Sequence, residues 1–270
     1  MTTADDEPLP ARAAAMALFG SGLIRRDEAV LASRARAILM SLGHTAAVAR
    51  MTLERLEDAG RLTRIESPEG RAYTVAPAHR AVVDDAERDA RGDDLVNTSW
   101  DGRWTLVRLG GLPLTRDQWR DVRSRLRFAH FAPVRNRVWL ACGAHDLRPV
   151  LGPLGLDPAA WTALVVTGRP PTHPRGLADR YLDIDATAAR YRRFLDRWTD
   201  APEIATAADY VRLHLGWIMT VRQDPRLPVE TLPADWPARP ALAVFRRLAD
   251  TGLVAARADE AASLVAGRAS

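Results

Sequence analysis

The spacing of apolar and polar positions changes along the chain, and each change predicts a different element. Ala15, Leu18 and Phe19 share one side of a first helix beginning near Ala11, after residues 1–10, which read as disordered. Between residues 29 and 42, Val30, Leu31, Ala35, Ile38, Leu39 and Leu42 recur as the inward stripe of a second helix. Gly43-His44-Thr45 turns the chain into a third, capped by Thr45 and stopped by Gly60. Its apolar side is read as Val48, Met51, Leu53, Leu56 and Ala59, leaving Thr45, Arg50, Thr52 and Arg55 to point elsewhere. Leu62, Arg64 and Glu66, then Arg71, Tyr73 and Val75, alternate around Ser67-Pro68-Glu69-Gly70, which predicts a two-stranded ribbon.

Three helices followed by a hairpin is the order of a winged helix-turn-helix. A helix able to enter a major groove then stands beside a ribbon able to lie along the phosphate backbone. The candidate DNA-binding residues are Thr45, Arg50, Thr52 and Arg55 on the helix, and Arg64, Arg71 and Tyr73 on the ribbon. The bland alternative is an arginine-rich surface helix and a plain hairpin, and Arg50 could be structural.

Residues 78–95 are dense in charge and read as a solvated connecting helix. From Trp100 the pattern becomes strand, helix, two strands hinged at Arg135-Asn136, short helix and strand, which is the ferredoxin-like order. Beyond Arg169-Pro170-Pro171 the chain turns helical over residues 186–198, 205–221 and 239–251. The expected fold class is α+β: a winged helix (11–77), a charged helical linker (78–99), a ferredoxin-like middle domain (100–170) and a helical C-terminal domain (171–258).

Composition sharpens this picture in one respect. All 38 Lys+Arg positions are arginine, and their forked guanidinium suits phosphates and guanine edges. Having no lysine excludes Schiff-base chemistry and phosphate-loop lysines. A net charge of +4 makes non-specific polyanion binding modest, so DNA affinity depends on where the charge is placed. Cys142 is the single cysteine, so no internal disulfide can form, and a reducing cytoplasm is the expected location. The N-terminus lacks the basic start and apolar core of a signal peptide, and no apolar run suggests a membrane span. Cys142 and His145 are too few for a zinc site, so neither metal nor cofactor is expected. No phosphate loop or GxSxG elbow stands in the chain, and no enzyme activity is expected.

Three segments carry a family resemblance. The first is Ala49-Arg50, Leu53-Glu54-Arg55-Leu56, Ala59-Gly60 and Leu62. The second is Trp100-Asp101-Gly102-Arg103-Trp104 with Leu126, Phe128, Phe131, Ala132, Pro133 and Val138-Trp139. The most specific is Asp224-Pro225-Arg226-Leu227-Pro228 with Leu232-Pro233-Ala234-Asp235-Trp236-Pro237, supported by Leu182-Asp183-Ile184-Asp185, Tyr191 and Phe194. Together these segments resemble the PaaX-like family of bacterial transcriptional repressors, and the resemblance implies a homodimeric repressor of double-stranded operator DNA, released by a small effector; in founding members this is an aryl-acetyl coenzyme A thioester. Trp217-Ile218 stands where the family has an aromatic-arginine pair; if that arginine binds an anionic effector, either Arg212 or Arg222 compensates here or the ligand differs. The candidate effector residues are Trp104, Arg212, His214, Trp217 and Arg222. Tryptophans at such spacing are also ordinary core residues, and the Asp224 segment reads equally as a structural clamp. The alternative from another class is a metal-dependent endoribonuclease on the middle domain. The carboxylate such enzymes carry at the end of the first strand is missing, since Asp101 precedes that strand.

Overall fold

The computed structural model describes residues 10–25, 27–91, 95–110, 112–134, 137–156, 159, 161, 165–169, 174–260 and 264–266. The expected disorder of residues 1–9, the Arg135-Asn136 turn and the Pro170-Pro171 boundary lie outside them. Among the described residues the fold is α+β with two antiparallel sheets, and the chain forms two compact units. One comprises Met1–Arg91, Trp198–Ile218 and Ala243–Ser270; the other comprises Gly92–Arg197 and Met219–Leu242.

The N-terminal elements are α1 (Ala11–Gly20), β1 (Glu28–Leu31), α2 (Ala32–Ser41), α3 (Ala46–Asp58), β2 (Leu62–Ser67), β3 (Gly70–Val75) and α4 (Pro77–Arg91). α1 buries Ala14, Ala15, Ala17, Leu18 and Phe19, consistent with the expected apolar side. The expected second helix is shorter at its start. Residues 29–31 belong to β1, where Val30 pairs with Tyr73 and Leu31 with Ala72 of β3. Strand pairing overrides the helical spacing there, because each paired residue satisfies backbone groups that a helix start would leave open. The alternation expected in the ribbon holds only in part. β3 is flanked by β2 and β1, and Ala72, Tyr73, Thr74 and Val75 are all buried. α4 is charged outside, yet Val83 and Ala90 are buried, so it packs one face rather than being fully solvated.

The middle of the chain forms β4 (Trp104–Arg108), α5 (Arg116–Phe128), β5 (Ala132–Pro133), β6 (Val138–Cys142), α6 (Arg148–Leu151) and β7 (Val165–Gly168). α5 starts in a capping box, with Thr115 accepting from the Gln118 amide and the Gln118 side chain accepting from the Thr115 amide. The strands lie in the order β5-β6-β4-β7. β4 is central, and Leu106 faces Leu140 on one side and Val166 on the other. Val107, Leu109 and Trp139 from the sheet cluster with Val122 and Leu126 of α5 and with Phe131.

The C-terminal elements are α7 (Pro174–Tyr181), α8 (Ile184–Trp198), α9 (Ala207–Val221), α10 (Ala238–Glu260) and β8 (Leu264–Ala266). α9 and α10 each contribute residues to both units. In the first unit, Trp217 is fully buried, stacks on Phe245 at 4.8 Å, and donates Nε1–H to the Ala90 carbonyl at 2.8 Å. The Tyr210 hydroxyl donates to the Ser21 carbonyl at 3.3 Å, and Arg257 pairs with Glu28 at 2.6 Å. β8 adds a strand to β1, a pairing that no short-range pattern in the sequence announces.

In the second unit the Asp-Pro segment is internal. Asp224 is 2% exposed; its Oδ2 accepts from the Tyr191 hydroxyl at 2.5 Å and its Oδ1 from the Arg226 amide at 2.8 Å. Its carbonyl lies 3.1 Å from His130 Nδ1. Burial pushes the Asp224 carboxyl above its ordinary pKa, and these hydrogen bonds and Arg226 oppose that rise.

Candidate nucleic-acid interface

α3 begins at Thr45, whose hydroxyl accepts from the Val48 amide at 3.3 Å. Gly43 (φ 96°) bends the chain between α2 and α3, and Gly60 (φ 63°) ends the helix. The buried stripe of α3 is Ala49, Leu53 and Leu56. This corrects the expected apolar side: Val48 and Met51 are each 37% exposed, and Ala59 is exposed. Spacings of four and three residues place Ala49, Leu53 and Leu56 on one face, whereas Val48 and Met51 lie on another. The outer surface therefore combines Val48 and Met51 with Arg55 and half-buried Thr52. Apolar groups can meet thymine methyls, and arginine can meet guanine edges.

The hairpin closes through Pro68-Glu69, with Ser67 opposite Gly70. Between α2, α3 and this hairpin lies an open groove of about 400 Å³. Ser33 and Arg36 of α2, Arg50 and Glu54 of α3, and Glu66 and Arg71 of the hairpin line it. Arg36 was not among the sequence candidates. It sits one position past the buried Ala35, three residues after Ser33, and that offset from the inward stripe was the available signal.

Of the arginines here, three have carboxylate partners. Arg50 donates to both oxygens of Glu54, at 2.9 and 3.0 Å. Arg64 lies 3.6 Å from Glu57 and 3.5 Å from Glu66, and Arg71 lies 3.7 Å from Glu66. The side chains of Arg36 and Arg55 have no hydrogen bond or ion pair among the described residues. Tyr73, expected on the outside of the ribbon, is 3% exposed, and its hydroxyl donates to Glu57 at 3.3 Å. Its ring is part of the core because β3 is a central strand.

The five candidate effector residues divide between the two units. Trp104 and Arg222 belong to the second; Arg212, His214 and Trp217 belong to the first. Trp104 is buried against Trp100, ring centroids 5.7 Å apart, and Arg222 donates to the Ser124 hydroxyl at 2.6 Å. Arg212 donates to Asp209 and to the Ser41 carbonyl. Trp217 and His214 are core residues, and His214 lies edge-on to Phe245 at 5.1 Å. Asp101, the carboxylate preceding β4, accepts from the Arg103 amide at 2.9 Å and so shapes a turn. Among the described residues, no group of three or more His, Cys, Asp or Glu side chains is placed to hold a metal ion.

Burial lowers the His214 pKa to about 4, while its contact with the Tyr210 carbonyl opposes the shift. A folded value below the unfolded one makes this histidine's contribution complete above the unfolded pKa of 6.5, and lost as pH falls toward 4. Going from pH 7 to pH 5 should therefore remove about 2 kcal/mol of stability through this residue. Urea unfolding of wild type and His214→Leu at both pH values tests this. A pH-dependent loss equal in the two proteins assigns it to other groups.

No helix among the described residues is long and apolar enough to cross a membrane. No curated protein sequence matches the chain. A solved structure of the uncharacterized protein Rv0674 from Mycobacterium tuberculosis is similar in fold, with a TM-score of 0.54 and 22% identity. The similarity covers 85% of this chain and 90% of that one. Residues 182–262 match the PaaX-like protein C-terminal domain, a span that includes Tyr191, Asp224 and Trp236. That match, over the segment that contains Asp224-Pro225-Arg226-Leu227-Pro228, supports the likeness to the PaaX-like family.

Proposed function

We propose that the protein is a sequence-specific DNA-binding transcriptional regulator, a homodimeric cytoplasmic repressor released from its operator by a small effector. The observation that carries the proposal is the outer face of α3, where Val48, Met51 and Arg55, whose side chain has no ion pair among the described residues, stand exposed beside a hairpin and an arginine-lined groove. The order α1, β1, α2, α3, β2, β3 is that of a winged helix, in which α3 enters the major groove and the hairpin lies on the backbone. The sheet order β5-β6-β4-β7 is what a ferredoxin-like middle domain requires. Thr45, Arg50, Thr52 and Arg55 are assigned to the groove, and Arg36, Arg64 and Arg71 to phosphate. Tyr73 supports the hairpin from inside.

Effector control is what the resemblance to the PaaX-like family implies, with aryl-acyl coenzyme A thioesters as the first class to try. Release requires the effector to bind the DNA-incompetent form more tightly, by a few kcal/mol for a large shift in population. Fluorescence anisotropy with a duplex from the region upstream of the coding sequence, against a scrambled duplex in the same salt, tests the assignment. Wild type should prefer the upstream duplex, and Arg55→Ala should weaken that complex by about 1–3 kcal/mol. Equal affinity for both duplexes, unaffected by Arg55→Ala, would overturn it.

A further inference from the structure

We infer that Glu54, Glu57 and Glu66 act as an intramolecular substitute for phosphate, holding the interface arginines away from DNA that does not fit. The inference rests on the DNA-binding reading and concerns how that site discriminates. Among the described residues, Arg50, Arg64 and Arg71 have carboxylate partners from the same small region, while the side chains of Arg36 and Arg55 have none. The pairing joins elements: Glu57 belongs to α3, yet it faces Arg64 on β2 and accepts from Tyr73 on β3. Glu66 lies between Arg64 and Arg71. Tyr73 is buried, so its hydroxyl holds Glu57 near the hairpin.

Such exposed pairs are weak and exchangeable. A duplex whose groove fits α3 presents several phosphates and base edges together, and these can replace the carboxylates in one step. A duplex that does not fit offers isolated phosphates, each competing with a carboxylate already in place. The carboxylates thus subtract more affinity from unfitting DNA than from fitting DNA. Specificity is a difference of affinities, and it rises when the wrong partner is penalised more.

Each arginine that neutralises a phosphate adds about 0.9 to the slope of log affinity on log salt, roughly a threefold change between 50 and 200 mM. Binding of a scrambled 30-bp duplex and of the upstream duplex would be measured for Glu54→Gln, Glu66→Gln and Glu69→Gln. Glu69 lines the same groove and has no arginine partner among the described residues, so its substitution changes net charge without freeing an arginine. Glu54→Gln and Glu66→Gln should each steepen the salt slope on scrambled DNA by about 1. Each should also lower the ratio of upstream to scrambled affinity severalfold, with Glu69→Gln close to wild type. Equal effects of all three substitutions would show bulk charge at work and overturn the inference, as would salt-dependent wild-type binding that Glu54→Gln and Glu66→Gln leave unchanged. Absence of duplex binding by wild type and every variant would remove the DNA reading itself, and this inference with it.

Discussion

Trp217→Ala is expected to lower the free energy of unfolding by about 3–5 kcal/mol, read as a lower urea midpoint by far-ultraviolet circular dichroism. The indole is fully buried, its ring lies 4.8 Å from Phe245 at 11°, and its N–H serves the Ala90 carbonyl. Truncation opens a cavity between α9 and α10 and leaves that carbonyl without its donor. Trp217→Phe retains most of the ring contact and loses the hydrogen bond, so it should cost about 1–2 kcal/mol. The comparison also bears on effector binding. If Trp217→Ala keeps wild-type stability but no longer responds to any acyl thioester, the side chain faces ligand rather than core.

A similar loss, about 3–5 kcal/mol, is expected for Asp224→Ala in the second unit. The substitution removes the acceptor of the Tyr191 hydroxyl and of the Arg226 amide at once. Arg226 itself is 6% exposed and would keep its charge beside a missing carboxylate. Asp224→Asn retains an acceptor oxygen, and should recover part of the loss. Both are read by the same urea unfolding. Wild-type stability in Asp224→Ala would mean that this segment is not the internal clamp its hydrogen bonds describe.

The strength of the Asp-Pro segment as a sequence signal has its physical origin in this burial. A buried carboxylate that must be satisfied away from water by a tyrosine hydroxyl and a backbone amide tolerates few replacements. The string alone left a clamp and an effector loop equally open, because Tyr191 is 33 residues away from Asp224. For the interface, Thr45 as cap and Gly60 as stop were readable, since both act within one helical turn. The orientation of α3 was not. Val48 and Met51 look inward by hydropathy, but Ala49, Leu53 and Leu56 take the packed side. Small Ala49 permits close approach there, a preference that a hydropathy pattern passes over.

The arginine partners were beyond the sequence for a related reason. Glu54 is four residues from Arg50 and could be paired by eye, whereas Glu57 meets Arg64 and Tyr73 only because α3 and the hairpin fold together. Arg36 has no helical-range acidic partner or motif to mark it; only its place beside the buried stripe of α2 does.

By itself the sequence determined the α+β order of elements, the turn and cap positions, the all-arginine cationic surface and the PaaX-like motifs. These depend on short-range periodicity, backbone conformation and composition. Only the tertiary structure decided that residues 29–31 form a strand, that β8 returns to pair with it, and that Tyr73 is core. It also decided which arginines are paired and which are not. Those outcomes depend on contacts between residues far apart in the chain, where a local preference of about 1 kcal/mol is outweighed by burial and by backbone hydrogen bonds that must be satisfied.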